Sequence, residues 1–132
     1  MTAMRMRCKL GSMNERNAFV TATELELLTF FEAVPELDDP LGTWCCSDAL
    51  YRVARDGIEL SFALNPADHD VRIILQHGER RLYELNAVRI VDVRYLLDGT
   101  RETLEVALTP TDRLLLRLRP RITIDHVVRQ IE

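Results

Sequence analysis

Lysine is almost missing from this 132-residue chain: Lys9 is the only one, and the other basic residues among the 17 are arginines. Cysteine is also scarce, at three positions, and two of these, Cys45 and Cys46, are adjacent. Adjacent cysteines can join each other only through a strained ring, so no ordinary disulfide framework is expected, which fits a reducing compartment. No apolar run approaches the ~20 residues of a membrane-spanning helix. The N-terminus lacks the apolar centre of a secretory signal. A soluble, cytoplasmic protein without a membrane partner is therefore expected. The chain also lacks a glycine-rich phosphate loop, a G-x-S-x-G elbow and an H-E-x-x-H pair. This removes the usual signatures of nucleotide, serine-nucleophile and zinc-protease chemistry. There is no internal repeat and no low-complexity tract.

The most informative absence concerns charge. No basic residue occurs from Asn17 to Tyr51, a segment that carries Glu24, Glu26, Glu32, Glu36, Asp38, Asp39 and Asp48. From Arg52 onward, 13 arginines balance 13 acids. The acidity is thus confined to one stretch. Such a surface can steer and hold a basic partner. The plainer reading is a solvated helix face with acids that complement the helix dipole.

Residues 1–12 read as an expression tag. Lys9-Leu10-Gly11-Ser12 is what adjoining HindIII and BamHI sites encode in frame, and Met13 follows at once. The remainder, 13–132, has the length of one domain. Without Arg5, Arg7 and Lys9, 14 basic residues face 21 acidic ones, a net of −7. With 47% apolar residues the chain can bury a core.

Val88 to Arg119 reads as three antiparallel strands joined by two tight turns. Asp98-Gly99 suits a type I′ loop, in which both positions need positive φ. It sets Val93 opposite Leu104 and Val91 opposite Val106. With Pro110-Thr111-Asp112 as the next loop, Val106 faces Leu116 and Leu104 faces Leu118. One face then holds Val91, Val93, Tyr95, Leu104, Val106, Leu108, Leu114, Leu116 and Leu118. The other holds Asp92, Arg94, Thr103, Glu105, Arg117 and Arg119. A one-residue slip would exchange the faces.

Upstream, Thr23 and Glu26 form a capping-box signature for a helix from Glu24 to Ala33 or Val34, stopped by Pro35. Its apolar stripe is Leu27, Leu28, Phe31 and Val34, widened by Leu25 and Phe30. Asp56-Gly57 marks a second hairpin, with Tyr51 opposite Phe62 and Val53 opposite Leu60. Pro66 to Asp70 connects the next pair, with Leu64 by Val71, Phe62 by Ile73 and Leu60 by Leu75. Gly78-Glu79 turns the chain into a short strand over Arg80–Leu85. There Leu82 and Glu84 share a side, which predicts a bulge or corner. Ile122 and Ile124 suggest a last short strand, and Val127–Ile131 a terminal turn. The expected fold is α+β: an N-terminal helix packed on a curved antiparallel meander of about seven strands, open or nearly closed into a barrel.

Candidate chemistry is thin, and no catalytic residue, metal site or cofactor is expected. Asp68-His69-Asp70 could ligate a metal or exchange protons. However, successive side chains in an extended loop diverge, and His77 and His126 sit at other turns, so solvation of a loop explains the cluster. Cys45 and Cys46 lack any surrounding nucleophile signature. Trp44 reads as an anchor beneath its loop. Arg113, Arg117, Arg119 and Arg121 alternate like a basic stripe, but Glu105 opposite Arg117 and Asp92 opposite Glu105 make a cross-strand charge ladder. With a net of −7, nucleic acid is not expected as a partner.

The leading expectation is a small non-enzymatic binding protein, an adaptor, inhibitor or immunity-like module. It would use Glu32, Glu36, Asp38, Asp39 and Asp48 against a basic protein. The alternative is a small apolar ligand, or an enzyme site, in a cavity near Phe62, Tyr95 and Trp44. A third reading is a homodimer through the outer sheet face, where Ile90, Ala107 and Leu115 interrupt the charges.

Overall fold

The computed structural model describes residues 19–128. The tag reading at 1–12, the start at Met13 and the end of the terminal turn at 129–131 lie outside the described residues. Helix α1 spans Glu24–Phe31 and opens on the expected capping box. The Thr23 hydroxyl accepts from the Glu26 N–H at 3.1 Å, and the Glu26 carboxylate accepts from the Thr23 N–H at 3.0 Å. The helix ends earlier than Ala33. Glu32 takes a left-handed conformation (φ 54°) while its N–H still bonds the Leu28 carbonyl, so the chain has turned away before Pro35. The buried face also differs from the expected stripe. Leu27, Phe30 and Phe31 are buried, whereas Leu25, Leu28 and Val34 are exposed. Positions 27, 30 and 31 follow the i, i+3, i+4 spacing that faces one wall, and Val34 falls beyond the helix.

Among the described residues, nine strands form two antiparallel sheets, each in chain order. The larger contains β1 (Glu36–Leu37), β2 (Ala49–Arg55), β3 (Ile58–Asn65), β4 (Asp70–His77) and β5 (Arg80–Ala87). The smaller contains β6 (Asp92–Asp98), β7 (Arg101–Ala107), β8 (Asp112–Arg117) and β9 (Thr123–Val128). The helix and the antiparallel meander hold, and neither sheet closes into a barrel. The nine described strands exceed the expected count of about seven by the two-residue β1 and by β9, which had been read only as a short addition at Ile122 and Ile124. What was read as a terminal turn belongs, through Val128, to β9.

The larger sheet follows the expected register. Asp56 (φ 54°) and Gly57 (φ 79°) form the tight turn with both residues at positive φ. Tyr51 pairs with Phe62, Val53 with Leu60, and Leu64 with Val71. The expected bulge falls at Leu82: Leu75 pairs with Tyr83 and Gln76 with Arg81, leaving one residue over.

The smaller sheet departs from expectation in two ways. First, β6 starts at Asp92, not Val88. Val88 to Val91 is a corner in which Arg89 has φ 53°, so side-chain alternation breaks there. Ile90 is therefore buried and Val91 exposed, the reverse of the expected assignment. Second, the loop between β6 and β7 is Gly99-Thr100, because Asp98 pairs with Arg101. Val93 faces Val106, and Leu104 faces Leu116. Each register is shifted by two residues, which preserves the faces because alternation repeats every two.

One core joins the layers. Leu27, Phe30 and Phe31 of α1 meet Tyr51, Phe62 and Ile73 of the larger sheet and Val93, Leu104 and Leu116 of the smaller. Phe31 stacks on Tyr51 with ring centres 4.6 Å apart. On the smaller sheet's outer face, Glu105 is buried between Arg94 (3.1 Å) and Arg113 (2.7 Å), and Arg117 pairs with Asp125 at 3.3 Å. The charge ladder exists, but the two-residue shift gives Glu105 different partners from those expected.

Candidate functional site

The acidic segment is fastened to one end of the larger sheet by backbone pairing. Glu36 and Leu37 pair with Leu50 and Ala49. Just beyond, the Asp38 N–H donates to the Asp48 carbonyl at 3.1 Å, and the Asp48 N–H donates to the Asp38 carboxylate at 3.0 Å. Asp39 shapes the loop that follows: its carboxylate accepts from the Leu41 N–H, and its carbonyl accepts from the Gly42 N–H. A Cβ on Gly42 would stand 2.7 Å from the Ser47 hydroxyl and 3.2 Å from the Asp39 carbonyl, so a side chain there would require Ser47 to shift.

The connection between β3 and β4 reaches the same end, because Ala49 pairs with Leu64 and Leu64 with Val71. It carries Asp68 and Asp70. His69 holds it in place in a left-handed conformation (φ 60°), with its carbonyl accepting from the Ile90 N–H and its Nδ1 3.0 Å from the Ile90 carbonyl. The Asp70 carboxylate accepts from the Arg89 N–H at 3.2 Å. His69 therefore ties the loop to the corner between sheets. His77 lies at the opposite end of β4, and His126 stands 3.9 Å from Asp112. Among the described residues, no group of three or more His, Cys, Asp or Glu side chains is placed to hold a metal ion.

Electrostatics marks Asp48 as the centre of this edge. Its carboxyl is pushed above the ordinary carboxylate range, first by loss of water and then by Asp38, with Asp70 and Asp68 adding to the effect; Arg72 opposes it. Asp48, Asp70 and Arg72 also line a groove of about 180 Å³, which shares Ala63, Arg72 and Asn86 with a groove of about 350 Å³ crossing the outer face of the larger sheet.

The five acids singled out in the sequence thus have different surroundings. Glu32 faces Arg119 at 3.1 Å and Arg55 at 4.0 Å, and Glu36 faces Arg52 at 3.6 Å. Asp39 serves its own turn. Asp38 and Asp48 share their edge with Asp68 and Asp70, which sequence reasoning had set aside as a solvated loop. The signal that could have found them was the register itself: pairing Leu64 with Val71 and Tyr51 with Phe62 places residue 48 beside the 65–70 connection.

The residues considered for a ligand cavity lie in or against the core. Phe62 is fully buried and Phe31 tilts across it at 5.2 Å. Trp44 packs on the core, and its indole N–H donates to the Tyr51 hydroxyl at 2.8 Å. Tyr95 donates to Glu102 at 2.5 Å. The Cys45 and Cys46 sulfurs are 3.4 Å apart, too far for a bond between them. No helix among the described residues is long and apolar enough to cross a membrane.

No protein-family model matches the chain, and no curated protein does. The fold has a counterpart among solved structures, a chain of a contact-dependent growth inhibition toxin–immunity protein complex from Klebsiella pneumoniae 342. The similarity covers 83% of this chain and 96% of that one, with a TM-score of 0.68 and 17% sequence identity. At that identity the likeness concerns the fold.

Proposed function

We propose that this chain is an immunity-type inhibitor, which binds a basic toxin protein and blocks it without chemistry of its own. The observation that carries the reading is the gathering of Asp38, Asp48, Asp68 and Asp70, from separate stretches, at one end of the larger sheet, beside a segment without a basic residue. Carboxylates held this close repel one another, a cost that a cationic partner surface would remove. The fold shared with a chain of a toxin–immunity complex supports the same reading. Glu36 and Asp39 would extend the contact, and Glu32 would lie at its margin, already paired with Arg119 and Arg55.

The experiment isolates the basic protein that the chain retains from its host's lysate at low salt and measures association kinetics with purified components. Reversing Asp38, Asp48 and Asp70 to lysine should slow association by about tenfold or more at low ionic strength, and the gap should narrow as salt rises. Reversing Glu59 and Glu79, elsewhere on the larger sheet, should change little. Expression of the captured protein alone should arrest growth, and co-expression of the wild-type chain should restore it. A captured protein that does not harm the cell, or an association rate indifferent to Asp38, Asp48 and Asp70, refutes the proposal.

A further inference from the structure

At the opposite end of the smaller sheet from the His69–Ile90 junction, charge of the other sign accumulates. A recess of about 280 Å³ is lined by Arg101, Arg117, Arg119, Arg121, Thr123 and Asp125, with Pro120 completing the wall. Four arginines and one aspartate line it, with Glu32 and Glu102 pairing with Arg119 from beside it, in a chain whose acids outnumber its bases. Two of the four are held by their neighbours. Arg117 donates from Nε to the Thr103 hydroxyl at 3.0 Å and from Nη1 to Asp125 at 3.3 Å. Arg119 donates to the Phe30 carbonyl at 3.0 Å and pairs with Glu32 and Glu102. Arg101 and Arg121 are exposed and form no ion pair among the described residues.

We infer that this recess is a binding site for the phosphate group of a small molecule such as a nucleoside monophosphate or a sugar phosphate. The inference is independent of the immunity reading, because it uses none of the acidic edge. Like charges gathered in one recess repel, and an anionic occupant turns that repulsion into attraction. The guanidinium fork suits a phosphate because its parallel N–H groups meet two oxygens at once. Arg117 and Arg119, already oriented by Thr103 and the Phe30 carbonyl, lose little freedom on binding. Arg101 and Arg121 would close on the ligand from the rim, and the Thr123 hydroxyl could donate to a phosphate oxygen. Asp125 opposes an anion, but its charge is engaged by Arg117. Size selects the class of ligand. The recess lies at the small end of ligand sites, enough for a phosphate and an attached sugar.

The test titrates the purified full chain with inorganic phosphate and with adenosine 5′-monophosphate, followed by calorimetry and by the phosphorus NMR signal. Saturable binding of either probe near or below about 1 mM is expected. The Arg101→Gln/Arg121→Gln double variant removes no ion pair and should fold normally. It should weaken binding by about tenfold per arginine lost. Arg80→Gln/Arg89→Gln, which removes exposed arginines elsewhere, should leave binding unchanged. Equal affinity for both probes limits the site to the phosphate itself, and tighter binding of the nucleotide extends it to the sugar; both outcomes support the inference. Absence of saturation by either probe, equal loss in the two double variants, or binding of single-stranded RNA without either small probe overturns it.

Discussion

At the residue scale, Asp92 does most to hold the N-terminal segment to the fold. It is a buried carboxylate whose oxygens accept from the Thr21 N–H at 2.7 Å, the Thr21 hydroxyl at 2.5 Å and the Val93 N–H at 2.8 Å, with Arg94 3.3 Å away. Next to it, the Ala22 N–H bonds the Val93 carbonyl at 2.8 Å, so the segment lies along the start of β6. Buried acceptors so well supplied are costly to remove, because the donors lose their partner and regain no water. Asp92→Ala is expected to destabilise the fold by about 2–4 kcal/mol in urea titration. Asp92→Asn should recover part of this, because it keeps an acceptor oxygen of the same size.

Two tyrosines make stability depend on alkaline pH. Burial pushes the Tyr51 phenol up to about 12, with the Trp44 N–H opposing and Glu24 adding to the rise. Tyr95 is also raised to about 12, first because its hydroxyl donates to Glu102 and then by desolvation. An unfolded tyrosine ionises near 10. Each group favours the protonated folded state, so its contribution is fully present below about pH 10 and is lost as pH rises toward 12. Phenolate absorbance should therefore appear late and together with unfolding. Tyr95→Phe, which cannot ionise at that position, should reduce the steepness of the stability loss. A phenolate signal complete near pH 10 in the folded protein would contradict this account.

At the scale of elements, the turns decide the registers, and the glycine turns differ in how completely they do so. Asp56 and Gly57 both sit at positive φ, and a Cβ on Gly57 would stand 3.2 Å from the His77 ring. Gly57→Val would combine a strained conformation with that contact, so a loss of about 1–3 kcal/mol is expected by thermal unfolding. Gly99 has φ 65° with no atom near its Cβ position, so Gly99→Val should cost about 1 kcal/mol through the backbone alone. Equal effects of the two substitutions would mean that the His77 contact is immaterial.

The same two turns explain how far the sequence could be read. At Asp56-Gly57, both turn positions and the alternation on either side point to one register, and that register is observed. At Asp98-Gly99, the dipeptide signal is equally strong, but Asp98 belongs to the ladder and Thr100 to the loop. Alternation could not detect the error, since a two-residue shift leaves every side chain on its face. The corner at Val88–Val91 was illegible for a related reason: Val88, Ile90 and Val91 look like strand residues, and only the positive φ at Arg89 breaks the alternation. At the candidate site, Asp38 and Asp48 were legible through local charge. Asp68 and Asp70 depended on which loops the ladder brings together.

At the scale of the whole molecule, the question is what joins two sheets separated at a corner. Helix α1 supplies the answer, because it touches β2 of the larger sheet and both β6 and β7 of the smaller. Leu27 is fully buried within the core that all three layers share, and Phe30 meets Tyr95 edge-on at 6.3 Å while Phe31 stacks on Tyr51. The helix therefore packs against both sheets and contributes to the core that they share. Leu27→Ala leaves a cavity at that junction and is expected to cost about 2–5 kcal/mol. Its distribution is the more telling result. If the helix couples the sheets, amide exchange should accelerate to a similar degree in β3 and in β7, because both open in the same global unfolding event. If the sheets were independent units, the two strands would respond unequally to this one truncation. Equal acceleration in the variant, followed strand by strand, is the outcome a shared core requires.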